Sequence, residues 1–127
     1  RLPNINASLG CAQLEQLPEF LNDKRHLADR YRNAFEGVEG ASIFIEPDFA
    51  RSNYWLNVLL LNEENIGLRD EILEQTNRQG IMTRPVWKPM HRLRMYKDCP
   101  RMGLHVAENL VKRLINIPSS VVLNGHN

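Results

Sequence analysis

From Arg84 to Arg101 the chain carries six Lys or Arg side chains, Arg84, Lys88, Arg92, Arg94, Lys97 and Arg101, together with His91, against a single acid, Asp98. The remaining residues hold ten basic and fourteen acidic groups, so a cationic segment stands on an anionic body whose overall formal charge is +1. That distribution suits an anionic ligand, and a solvated basic loop is the plain alternative. Arg84 precedes Pro85, where a guanidinium can fork onto a carboxylate or phosphate, or pair with a surface acid. Trp87 beside Lys88 can stack on a base or sugar face, or can cap the core under the loop. His91 lies among Arg84, Lys88, Arg92 and Arg94, whose charges favour an uncharged imidazole that accepts a hydrogen bond; otherwise it is an exposed loop histidine.

Other chemistries find little support. His26, His91, His105, His126, Cys11 and Cys99 show none of the zinc spacings, so no metal site is expected. No G-x-S-x-G elbow is present, and Gly37-Val38-Glu39-Gly40 is too acidic to cradle phosphate. Composition alone reveals no catalytic apparatus.

The elements that must position these residues follow from length and pattern. At 127 residues, 43% of them hydrophobic and 24% charged, the chain is of single-domain size and ordinary globular composition. Two cysteines without C-x-x-C spacing suggest a reduced, cytoplasmic protein, and the longest apolar run, Val58 to Leu61, is too short to cross a membrane. The chain starts without Met and ends without an organised stop, which suggests a cut from a longer protein.

Leu14, Leu17, Leu21, Leu27, Ala28, Tyr31 and Phe35 recur at helical spacing, predicting a long first helix capped by Asn4 or Asn6 and ended by Gly37 and Gly40. Pro18 predicts a kink or break within it. Ser42–Glu46 and Tyr54–Leu61 read as antiparallel strands, with either Tyr54 or Trp55 in the core. A helix over Leu68–Gln79 should stop at Gly80, followed by a strand over Ile81–Arg84. Residues 85 to 102 are broken by Pro85, Pro89 and Pro100 yet are too apolar for a free linker, so an ordered functional loop is expected. A last helix over Gly103–Leu114, with Lys112 and Arg113 at its end, and a strand at Ile115–Ile117 complete an α+β fold with a mainly antiparallel sheet.

These residues also resemble a family. Arg1-Leu2-Pro3-Asn4-Ile5-Asn6-Ala7-Ser8-Leu9-Gly10-Cys11-Ala12-Gln13-Leu14 is similar to the G-x-N-x-R-(L/M)-x-x-x-x-A-(A/S)-(I/L)-G-x-x-Q-(L/I) segment of the DegT/DnrJ/EryC1/StrS sugar aminotransferases. The resemblance continues through Ser52-Asn53-Tyr54-Trp55, through Gly80 to His91, and through Leu114 to Ser120. It implies a pyridoxal-phosphate enzyme that moves an amino group from glutamate to the C4 keto group of a nucleotide-linked 4-keto-6-deoxy sugar. The R-P-x-W-K-P-M-H block resembles the branch acting on UDP-linked N-acetylhexosamines.

The resemblance further implies that this chain is the C-terminal small domain of a fold-type I transferase. Residues 1–40 would be the connecting helix region and 41–127 the small domain. The cofactor lysine would lie upstream, since Lys24, Lys88, Lys97 and Lys112 do not match its motif; the piece would therefore hold no catalytic residue and be inactive alone. Arg1, Arg84, Trp87, Lys88 and His91 would bind substrate, with Arg1 holding a diphosphate at the boundary of a homodimer. Absence of the large domain would expose Leu2, Ile5, Leu9 and Leu14. Two other classes stay open: a catalytically dead or dehydratase relative, and an α+β module binding RNA or single-stranded DNA through its basic aromatic loop.

Overall fold

The computed structural model describes residues 2–120. Its elements are α1 (Asn4–Ala34), β1 (Ala41–Ile43), β2 (Asn57–Leu61), α2 (Arg69–Arg78), β3 (Arg84–Pro85), α3 (His105–Leu110) and β4 (Leu114–Ile117). Short 3-10 turns cover Glu63–Leu68, Met90–Arg92 and Arg94–Tyr96. The four strands form one sheet in the order β1-β2-β4-β3, and every neighbouring pair is antiparallel. The α+β expectation holds.

Alternation sets the core. Asn57, Leu59 and Leu61 of β2 and Ile115 and Ile117 of β4 face inward. Tyr31 of α1, Phe35 just beyond its end, and Ile72 and Leu73 of α2 pack against them. Only the C-terminal half of α1 takes part, through buried Leu27 and Ala28; Leu2, Ile5, Leu9 and Leu14 are exposed, Ile5 to 82%. Among the described residues, no helix is long and apolar enough to cross a membrane.

Several boundaries differ from the sequence reading. The first helix runs unbroken through Pro18. The proline lacks the N–H that would bond the Leu14 carbonyl, and the helix is exposed there, so water can take that place. Pro3, not Asn4 or Asn6, occupies the N-cap position, and no side chain caps it. The helix ends at Ala34, ahead of Gly37 and Gly40. Gly40 is nevertheless required: φ is +84°, a Cβ would collide with the Asn65 amide, and its carbonyl accepts from Asn62 N (2.9 Å) and Asn65 Nδ2 (3.2 Å).

The two expected strands are cut short at Ile43 and Asn57 because the segment between them serves another interaction. Glu46 receives the Arg25 guanidinium and the Ser52 N–H, and Arg25 also donates to Ser52 O at 2.6 Å. Tyr54 takes a left-handed φ of 47°, which no strand continues through. The third strand begins at Arg84 instead of Ile81, since Thr83 is buried and its hydroxyl shares a hydrogen bond with Thr76 Oγ1 at 2.5 Å. The last helix stops at Leu110, and Arg113 lies beyond it, donating to Leu61 O (2.7 Å) and Glu63 (3.2 Å).

Ile115 is fully buried, so Ile115→Ala should lower unfolding free energy by about 3 kcal/mol. Tyr31→Phe removes the bond from its hydroxyl to Pro118 O (2.9 Å) and should cost about 1 kcal/mol. Urea titrations of both variants check the order, and an equal loss would contradict the packing.

The hydrogen bond from Arg25, then that from Ser52 N–H, holds the Glu46 carboxyl below its ordinary range. A carboxyl lowered in the folded state stabilises above the unfolded value and loses that contribution as pH falls through its folded one. Glu46→Gln should therefore lower the urea midpoint at neutral pH and flatten its decline in acid. Superimposable pH profiles for the two proteins would show that the pair adds nothing.

Candidate functional site

The expected loop is ordered by a few directed contacts. It leaves β3, whose Arg84 stands opposite Asn116 of β4, and Asn116 Nδ2 donates to Pro85 O at 3.3 Å. Past Pro85 no regular element forms until Met90, because Pro85 and Pro89 bracket Val86, Trp87 and Lys88.

His91 is held from across the loop. Its side chain is only 14% exposed, and Nε2 lies 3.0 Å from Glu108 Oε1 on α3, with Arg92 3.9 Å from the same oxygen. An ionised carboxylate only accepts, so Nε2 carries a proton and donates. The expected acceptor role among cations therefore does not describe this nitrogen; in an uncharged ring Nδ1 would hold it. The charged neighbours of His91 in sequence are arginines and a lysine, whereas α3 brings the acid from seventeen residues away.

Trp87 does not cap the core. It is 68% exposed and stacks on Trp55, also 64% exposed, with ring centroids 5.9 Å apart and planes inclined by 22°. Neither Tyr54 nor Trp55 enters the core as expected; the half-buried Tyr54 ring lies under Arg25, whose guanidinium carbon is 5.4 Å from its centroid.

The predicted residues thus fall into neighbouring but separate settings. Arg84 is exposed and, with Tyr31, Ile81, Met82, Ile117 and Ser119, lines a cavity of about 610 Å³. His91 lines another of about 400 Å³ with Met90, Tyr96, Cys99, Arg101 and Leu104. Lys88 is exposed and lines neither, and Arg1 lies outside the described residues. Sequence reading missed Glu108, which no motif marks, and gave Trp55 to a strand although it closes the Ser52-Asn53-Tyr54-Trp55 block. Among the described residues no group of three or more His, Cys, Asp or Glu is placed to hold a metal ion.

The chain is 34% identical over 122 residues to the GDP-perosamine synthase of Escherichia coli O157:H7, a match covering 94% of this chain and 31% of the relative. It is 30% identical over 118 residues to the dTDP-4-dehydro-2,3,6-trideoxy-D-glucose 4-aminotransferase of Saccharopolyspora spinosa, covering 91% of this chain and 29% of that protein. The chain therefore spans about a third of the length of the curated relatives it matches. Its fold is that of Helicobacter pylori PseC, an aminotransferase involved in the biosynthesis of pseudoaminic acid, with a TM-score of 0.83, 22% identity, and coverage of 95% of this chain and 33% of that one. A family model described as the DegT/DnrJ/EryC1/StrS aminotransferase family matches residues 1–127, the full sequence that builds both the sheet and its basic, tryptophan-bearing loop, and the chain belongs to that family.

Proposed function

We propose that this chain is the substrate-facing small domain of a pyridoxal-phosphate-dependent aminotransferase that transfers an amino group from glutamate to the C4 keto group of a nucleotide-linked 4-keto-6-deoxy sugar. The observation that carries the reading is the family match over residues 1–127, joined to a loop that presents an aromatic face and cations together. Relatives named for GDP- and dTDP-linked sugars support the nucleotide-sugar class. The R-P-x-W-K-P-M-H block supports a UDP-linked N-acetylhexosamine within it.

In this reading Arg1, Arg84 and Lys88 meet the diphosphate, and a guanidinium forks onto it better than an ammonium does. Trp87 supplies a flat wall to the sugar or base. His91, oriented by Glu108, offers a polar edge to a sugar hydroxyl. Residues 1–40 lead in from a larger domain, which would cover exposed Leu2, Ile5, Leu9 and Leu14, and two such subunits complete the site.

The described residues do not fit a seat for the cofactor. Lys24 is committed to the carbonyl oxygens of Trp55 (3.1 Å) and Ser119, and burial lowers its affinity for a proton. Lys97 lies 3.7 Å from Asp98, and Lys88 and Lys112 are exposed. The chemistry of amino transfer is therefore assigned outside these residues, whose contribution is shape, charge and orientation of substrate.

Full-length protein mixed with pyridoxal phosphate should develop a visible absorption band that shifts when glutamate is added. A band that ignores glutamate would overturn amino transfer from that donor, and no band would overturn the enzyme reading. In the same protein, Trp87→Ala and His91→Ala should each raise KM for the nucleotide sugar about tenfold, roughly the loss of one good contact, while cofactor affinity stays unchanged. Equal losses of both affinities would mark the loop as purely structural.

A further inference from the structure

The stacked indoles are the only two tryptophans of the chain and come from segments thirty-two residues apart. Each remains more than three-fifths exposed, so the pair does little to fill the core. Its two members are held very differently. The Trp55 N–H donates to Asn53 Oδ1 at 3.0 Å, and its carbonyl accepts from Lys24 Nζ at 3.1 Å. One residue earlier, Tyr54 keeps its left-handed backbone through a bond from its N–H to Ser52 Oγ (3.0 Å) and the Arg25 guanidinium over its ring. Arg25 and Lys24 both belong to α1, so the backbone that carries Trp55 is tied to the long helix.

Trp87 instead sits in the irregular stretch between Pro85 and Pro89, two residues beyond the short edge strand β3. A wall that must stay flat against a ligand needs its χ angles restrained, and an unsupported exposed indole would lose rotamer freedom on binding. Stacking on the ring of a residue whose backbone is anchored narrows that freedom beforehand while leaving the second face of the Trp87 ring uncovered by Trp55.

We propose that Trp55 is a positioning residue: it fixes the Trp87 indole so that this ring can serve as the planar wall for a nucleotide-linked sugar, a role that rests on the function proposed above. Trp55 acts through Trp87 and needs no contact with substrate. Its removal should therefore matter only while Trp87 is present.

The test uses full-length protein with UDP-linked 4-keto-6-deoxy-N-acetylglucosamine and glutamate, in the Trp55→Ala, Trp55→Phe, Trp87→Ala and double Trp55→Ala/Trp87→Ala variants. Trp55→Ala should raise KM for the sugar nucleotide about three- to tenfold, the scale of one aromatic pair, with kcat and KM for glutamate unchanged. Trp55→Phe should recover most of the loss. The double variant should be no worse than Trp87→Ala alone, because the two residues act as one unit. Circular-dichroism difference spectra should show the exciton couplet of stacked indoles lost equally in Trp55→Phe and Trp87→Ala.

An unchanged KM in Trp55→Ala, or a double variant with multiplied losses, would overturn the positioning role while leaving the enzyme reading intact. A parallel fall in kcat/KM for both substrates would overturn it too, showing a structural residue. If unsubstituted protein aminates no UDP-, GDP- or dTDP-linked 4-keto sugar, the functional reading itself fails, and the positioning role fails with it.

Discussion

β4 lies between β2 and β3, so the sheet closes only when a strand near the end of the described chain enters its middle. Leu59 pairs with Ile115 and Asn57 with Ile117, and the two isoleucines complete the apolar face on which α1 and α2 rest. Everything between β2 and β4 must leave the sheet and return to it within fixed register. α2 returns the chain to the edge, β3 pairs for only two residues, and the loop and α3 make the remaining circuit. Pro85 is tolerated because β3 is an edge strand, where a missing N–H breaks no second ladder.

The long helix contributes in two halves with different physics. Its C-terminal half supplies apolar packing through Leu27, Ala28 and Tyr31, extended by Phe35 at its C-cap, and polar tethers through Lys24, Arg25 and the Tyr31 hydroxyl. Those tethers reach carbonyls and a carboxylate in otherwise irregular segments, satisfying groups that no strand ladder serves. Its N-terminal half is exposed, with Ile5, Leu9, Leu14 and Leu17 open among polar neighbours, and Gly10 and Pro18 sit there. The same helix therefore anchors the fold at one end and presents exposed apolar side chains at the other.

The loop owes its order to partners drawn from outside it. Glu108 on α3 fixes one nitrogen of His91, Asn116 on β4 holds the Pro85 carbonyl, and Trp55 stacks on Trp87. None of these contacts is local in sequence. The basic side chains Arg84 and Lys88 remain at the surface, which keeps their charge hydrated and available to an anion. Their cost to stability is small because neither is desolvated by burial.

Periodicity in the sequence determined that there is a long helix, that β1 and β2 pair antiparallel, and that a sheet and helices make an α+β layer, since apolar side chains must share a face to leave water. Local composition marked the cationic, proline-punctuated loop, and the resemblance of several motif blocks pointed to the family. Tertiary structure decided what local pattern cannot: that Glu46 turns toward Arg25 instead of extending β1, that Tyr54 keeps β2 from starting before Asn57, and that Trp55 meets Trp87. It likewise decided which nitrogen of His91 donates and which half of α1 is buried. Each depends on a partner seventeen or more residues away, or on competition between a ladder bond and a side-chain bond. Hydrophobic spacing contains no term for either.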